Sequence, residues 1–444
     1  MSFDIGIEGG EVITPTGRAR LHVYLKDGKI SEVCAERHDA VEVFDASGLF
    51  VMPGMVDAHV HFMDPGDTSR EDFPTGTAAA ARAGVTTVIE HTHAAPVISA
   101  SDLVAKREYL RDRAVVDFGL AAHAWPDRLD EIDGVWRAGA AFIKAFTCTT
   151  HGVPACDAAA LKRLFERSTA CGAICLIHAE DESLTAAAEN ELRASGREDG
   201  GVVPAWRNRD AELTALTVAA LAARLSGARV AAAHVSHVDA MTAAAGLIVE
   251  CCPQYLTLLE EEILERGAFR KFTPPARARG SSDIESMWRA LADGRIDYVS
   301  SDHAPSTPQQ KRSGSIWDVH FGLPGIDTTL SVLLDGASAG RISYERVVEV
   351  YAEAPSRLYG LWPAKGRLAP GADGDVILVD PTKQWTVRDE DVVSRASWSP
   401  YTGRTLTGRA IRTYLRGQIV ADEGSITGNP GMGQFIRGAG QPKI

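Results

Sequence analysis

The rhythm of apolar and polar positions changes twice along the chain. At the start it is short and alternating: Ile5 to Ile7, Glu11 to Ile13, His22 to Leu25, a turn at Lys26-Asp27-Gly28-Lys29, then Ile30 to Val33. Alternation punctuated by turn residues predicts a hairpin-rich β segment. From Val51 onward, continuous apolar runs of strand length alternate with alanine-rich stretches at helical spacing, the pattern of repeated βα units around a parallel sheet. Phe73 to Ala83 reads as such a helix, Gly84 as its C-terminal cap and Val85 to Ile89 as the buried strand that follows. Further buried strands are expected at Val51 to Val56, Val116 to Ala121, Ala141 to Ala145, Ala173 to Ile177, Arg229 to Ala233, Leu247 to Glu250 and Asp297 to Ser300. After a helix near Tyr344 to Ala354 the alternating texture returns, at Gly366 to Leu368, Val376 to Val379, Trp385 to Val387, Ala410 to Leu415 and Val420.

This order predicts an α/β protein: a (β/α)₈ TIM barrel over residues 52–363, with a small β-sandwich built jointly by residues 1–51 and 364–444, since neither end carries enough apolar surface to fold alone. A doubly wound sheet fits less well, because no G-x-G-x-x-G follows the first buried strand. With 45% hydrophobic and 24% charged residues in 444, the composition supports a large core. A net charge of −13 without clusters of Lys and Arg argues against nucleic acid as a partner, and no apolar run is long enough to span a bilayer. The start lacks a basic patch followed by an apolar run, and seven irregularly spaced cysteines suggest reduced, packed thiols; a cytoplasmic protein is the plain reading.

The chemistry sits where the apolar runs end. Asp57-Ala58-His59-Val60-His61 closes the run from Val51, and side chains two apart on a strand share a face, so both imidazoles can enter one space. Taken alone, such a pair is a common accident. Yet His178 follows the run to Ile177, His234 the run to Ala233, and Asp302 the run to Ser300, all at the strand ends where barrel active sites lie. Asp302 also has a plainer reading as a helix N-cap, beside Ser301 and Pro305. Lys144 lies inside the apolar Phe142-Ile143-Lys144-Ala145-Phe146, where an ammonium is costly unless paired. Either a salt bridge or carbamylation by CO₂, which converts the amine into a bridging carboxylate, would account for it.

The segments PGMVDAHVHF, FIKAF, IHAED, AAHVSH and SSDHAP, in this order and roughly this spacing, resemble the amidohydrolase superfamily, and within it the cyclic amidohydrolases: allantoinase, dihydroorotase and hydantoinase. The closing GRLAPGADGDVILVD and SPYTGRTLTGRAIRTYLRGQIV look most like allantoinases. The resemblance implies two divalent metal ions, zinc by default, one held by His59, His61 and Asp302 and the other by His178 and His234, with carbamylated Lys144 between them. It also implies a metal-activated hydroxide attacking the carbonyl of a small cyclic amide, with Asp302 shuttling the proton to the leaving nitrogen. A homo-oligomer, tetramer or dimer, is implied by the same relatives.

The substrate is less sharply written. Dihydroorotases carry Arg two residues beyond the second histidine of H-x-H, where this chain has Met63, so the bidentate partner of a carboxylate is missing; allantoinases more often carry Asn there. Hydantoinases carry Tyr five residues after the lysine, where this chain has Thr149. Candidate substrate-binding residues are Met63, Thr149, His151, Thr273, His303, Gly322 and Gly325. His91 and His93 form a second H-x-H expected to line the mouth or pack a loop, His237 a helix start or a residue behind the ligands, Asp181 a helix start, and Trp206 with Arg207 a polar connection that could shape a lid. Ring opening of allantoin or a similar cyclic ureide or imide is the expected activity, with a hydantoin, dihydropyrimidine or dihydroorotate as alternatives and a non-catalytic scaffold as the remaining one.

Overall fold

The computed structural model describes residues 2–440. Among them, eight parallel strands follow one another around a barrel: Met55–Val60, Val85–Glu90, Asp117–Leu120 continuing as Ala122–His123, Ile143–Phe146, Ile174–His178, Arg229–Ala232, Ile248–Cys251 and Tyr298–Val299. Each pairs with its successor, and a parallel bridge from Val60 to His303 closes the ring. Every residue of the first, second, fourth and fifth strands is buried, which is why these segments read as continuous apolar runs. Helices such as Phe73–Arg82, Ala158–Cys171 and Arg209–Ser226 cover the outside. Asp72 and Asp157 cap the first two, each accepting a backbone N–H of the opening turn.

The smaller unit has two sheets. Four strands run in the order Lys29–Cys34, His22–Lys26, Phe3–Glu8, Ala40–Asp45. Seven run in the order Ser425–Ile426, Gln418–Asp422, Thr405–Leu415, Val376–Thr386, Phe50–Pro53, Glu11–Thr14, Gly17–Arg20. Residues from both chain ends share one apolar core, with Ile7, Val23, Ile30 and Val51 against Leu368, Val376, Leu378 and Tyr414.

Two expectations are corrected. The run Val51 to Val56 is not one strand: Phe50–Pro53 pairs with Val376–Val379 in the smaller unit, and the barrel strand starts at Met55. Gly54 allows the switch, since a Cβ there would sit 2.1 Å from Thr86 Oγ1. The segment Gly366 to Leu368 is a bend followed by irregular backbone, not a strand, with Gly366 at φ +76° close to the carbonyl of Ala352.

Candidate metal centre

The C-terminal ends of the barrel strands open into a small cleft of about 30 Å³ lined by His59, His61, Lys144, His178, His234 and Asp302, with His93, Phe146, Thr150, His151, Thr273, Ala304, Phe321 and Gly322 around them. His59 belongs to the first strand and His61 lies one residue beyond it; their ring centroids are 5.3 Å apart. Asp302 Oδ1 stands 3.1 Å from His59 Nε2 and 3.5 Å from His61 Nε2. Across the cleft, His178 Nδ1 and His234 Nε2 face each other at 2.9 Å. Lys144, fully enclosed in the fourth strand, has no hydrogen-bond partner for Nζ among the described residues.

These orientations are imposed from behind. Glu250, at the end of the seventh strand, bonds His59 Nδ1 at 2.9 Å and accepts the backbone N–H of His234 at 3.0 Å. Glu180 bonds His178 Nε2 at 2.8 Å and accepts from Thr273 Oγ1 at 2.6 Å, with Arg207 Nη1 3.4 Å away. Each carboxylate occupies one nitrogen of an imidazole and aims the other into the cleft. Asp57 accepts the backbone N–H of Ser301 at 3.0 Å and the Tyr351 hydroxyl at 2.8 Å, which anchors the turn that presents Asp302. Both Asp302 and His234 sit in left-handed backbone, at φ +48° and +41°, a strain found where side chains are aimed for function. Asp302 caps no helix: the next one, Pro308–Arg312, is capped by Thr307.

Burial, reinforced by the Lys144 charge, holds His59 and His61 well below the ordinary imidazole value, and burial with His178 does the same for His234. Neutral imidazoles are the form that ligates metals. Burial lowers the Lys144 ammonium despite Glu250 and Asp302 nearby, and pushes Asp302 up to about 7. Glu180 is pushed up by burial, but Arg207 and His178 outweigh this and hold it down at about 2. Four imidazoles, a carboxylate and an unpartnered amine form a donor set suited to borderline transition cations.

Of the candidate substrate residues, His151, Thr273 and Gly322 line the cleft. Thr149 does not: it is exposed, and its N–H and hydroxyl both bond Glu182. Met63 is buried behind the wall, its Sδ accepting from Thr92 Oγ1 at 3.1 Å. His303 also lies behind, bonding Glu71 at 3.3 Å and accepting the N–H groups of Gly325 and Ile326, which leaves Gly325 a positional role. His91 is wedged between His59 and His61 at centroid distances of 4.3 and 4.4 Å, His93 reaches the cleft, and His237 lies apart beside Glu212. Asp181 caps Glu182–Ala194, whereas Trp206 and Arg207 are buried, not a polar connection. The sequence reading missed Glu180, Glu250, Asp57 and Phe321. Glu180 carried a signal, being two residues beyond His178, but Glu250 is tied to His59 only by the closing of the barrel.

A family model described as the amidohydrolase family matches residues 50–420. An allantoinase of Rubrobacter xylanophilus is 35% identical, covering 98% of both chains. An L-hydantoinase of Paenarthrobacter aurescens is 32% identical, also over 98% of both. Among solved structures, an L-hydantoinase (dihydropyrimidinase) from Arthrobacter aurescens superposes with a TM-score of 0.93 at 30% identity, over 98% of this chain and 100% of that one. With full-length likeness joining a closed barrel whose strand ends carry the histidines, the lysine and the aspartate, this chain belongs to the amidohydrolase family.

Proposed function

We propose that this chain is a binuclear metal-dependent hydrolase that opens the ring of a cyclic amide or ureide, with an allantoinase-like preference. The observation that carries the reading is the meeting of His59, His61, Lys144, His178, His234 and Asp302 at one barrel mouth, from segments up to 243 residues apart. His59, His61 and Asp302 would hold one divalent ion and His178 with His234 the second, with Lys144 as its carbamate shared between them. Zinc suits this donor set. Bound there, two such cations supply Lewis-acid polarisation of a carbonyl and make water acidic enough to serve as a nucleophile near neutral pH.

The protein's own groups do the rest. An Asp302 carboxylate oxygen takes the proton of the attacking water and returns it to the ring nitrogen as the C–N bond breaks, so one group acts as base and then as acid. Glu250 and Glu180 keep His59 and His178 in fixed orientations through the cycle. Relatives named allantoinase and L-hydantoinase support a cyclic amide substrate. A hydantoin is the second reading, favoured by Phe146 and Phe321, whose rings give the cleft apolar walls for a ring substituent. As an enzyme of this kind the chain works in the cytoplasm as a homo-oligomer; no helix among the described residues is long and apolar enough to cross a membrane.

The test is a panel of allantoin, hydantoin, dihydrouracil and dihydroorotate assayed for ring opening by zinc-loaded protein, with bound metal quantified in the same sample. Turnover fastest on allantoin with two ions per chain is expected. A metal-loaded protein that opens none of these rings, or one that retains no metal, contradicts the proposal.

A further inference from the structure

His93 and His151 form a stacked pair at the cleft, with ring centroids 4.0 Å apart and planes within 12°. Phe321 meets His151 edge-on at 6.2 Å, and the His61 ring lies 5.4 Å from His93. The backbone is built to present this ring. Thr150 and Val153 exchange N–H···O bonds of 3.2 and 3.0 Å, and between them His151 and Gly152 take φ +55° and +79°. Two successive residues in that region make the primed two-residue turn, which Gly152 suits and in which a non-glycine residue at the first position is uncommon, histidine being one of those that tolerate it.

The lining leaves little else to donate a hydrogen bond. Beyond the six residues proposed to hold metal, Thr273 commits its hydroxyl to Glu180 at 2.6 Å. Thr150 shares its hydroxyl with Cys148 Sγ at 3.2 Å. Phe146, Phe321, Ala304 and Gly322 offer no side-chain donor, and the Gly322 N–H is bonded to the Lys271 carbonyl. Outside those six, and among the described residues, His93 and His151 are the lining side chains whose polar atoms make no hydrogen bond, His93 Nδ1 being enclosed without a partner.

Resting on the ring-opening reading above, we infer that His151 is a catalytic residue, donating its ring N–H to the substrate carbonyl oxygen as that oxygen gains charge, and that His93 is the positioning residue that holds the donor by stacking. A neutral imidazole carries one N–H and polarises carbonyls in other barrel enzymes. A single donor aimed at a developing oxyanion is worth about 10²–10³ in kcat.

The experiment compares His151→Phe, His151→Gln, His93→Phe and His93→Ala with the wild-type holoenzyme on the substrate of the four-ring panel that wild type opens fastest. Bound metal is quantified in each. His151→Phe keeps the stack without the N–H, and its kcat is expected to fall by about 10²-fold at unchanged metal content and little-changed KM. His151→Gln restores part of that loss through its amide donor. His93→Phe keeps an aromatic face under His151 and is expected to retain more of the wild-type kcat than His93→Ala, which loses the stack; equal rates in the two variants would remove the positioning role. Wild-type kcat in metal-replete His151→Phe overturns this inference while leaving ring opening intact; a wild-type holoenzyme that opens no ring overturns both.

Discussion

Two residues show how burial dictates chemistry. Lys144 is 1% exposed and its amine has no hydrogen-bond partner among the described residues, a situation that costs stability unless something binds the nitrogen. Lys144→Ala is therefore expected to lose metal and activity together, and a short-chain carboxylate added to the assay should restore part of both. Retention of two ions per chain by the unrescued variant would remove the bridging role. Asp302 faces two imidazoles at 3.1 and 3.5 Å, so Asp302→Asn should keep the fold and the circular dichroism spectrum yet lose turnover by about 10²–10⁴-fold, the scale of a general acid–base group. A rate within tenfold of wild type would assign the proton transfer elsewhere. Both residues were legible in the sequence because an ionisable group inside or just after an apolar run is rare. Glu250 was not, since its partner His59 lies 191 residues away and only the closed barrel brings them together.

At the scale of elements, strands were readable and loops were not. A buried strand writes itself as a continuous apolar run, and the expected barrel-strand positions fall within a few residues of the observed ones. The break at Gly54 escaped because Phe50–Pro53 and Met55–Val60 are apolar alike; only their partners differ. Side-chain direction in a loop depends on φ values that tertiary contacts impose. Hence Thr149, Met63 and His303, all close to the ligand segments in sequence, turn away from the cleft, while His151 turns in. Gly322 shows the loop geometry at work: its φ is +118°, and a Cβ there would lie 2.1 Å from the Ala304 carbonyl oxygen. Gly322→Ala must displace one wall of the cleft, at a cost of about 1–3 kcal/mol in backbone strain. Steady-state kinetics should show KM raised by about tenfold or more, equivalent to about 1.4 kcal/mol; a wild-type KM would mean that this loop does not shape the substrate site.

In the whole molecule, a buried ionic cluster joins the barrel to the smaller unit. Lys365 Nζ meets Asp117 at 2.5 Å, Asp375 at 2.7 Å and Asp373 at 2.9 Å, and Arg416 also pairs with Asp117. Lys365→Met leaves buried Asp375 without a cation, while Arg416 still pairs with Asp117 and Lys29 with Asp373, and should lower unfolding stability by about 3–5 kcal/mol in urea titrations. The cluster also sets a pH response. Burial pushes the Asp373 carboxyl up, but Lys365 and Lys29 outweigh it and hold the group below its ordinary 3.8. A depressed carboxyl stabilises the fold above its unfolded value and loses that contribution as pH falls through the folded value, so the Asp373 contribution should fade below about pH 4, whereas Asp375, whose carboxyl burial raises despite Lys365, acts in the opposite sense. Lys365 shifts upward through its three aspartates despite burial, so its contribution is complete below 10.5 and fades only at higher pH. A Lys365→Met variant as stable as wild type would make the junction incidental.

The central claim concerns one point at the barrel mouth, and anomalous diffraction at the zinc edge tests it most directly. Crystals grown with zinc should give two anomalous peaks per chain, at about 2.0–2.2 Å from the imidazole nitrogens and carboxylate oxygens of His59, His61, His178, His234 and Asp302, with added density on Lys144 Nζ. Peaks elsewhere in the protein, or a mouth without anomalous signal in zinc-soaked crystals, would contradict it.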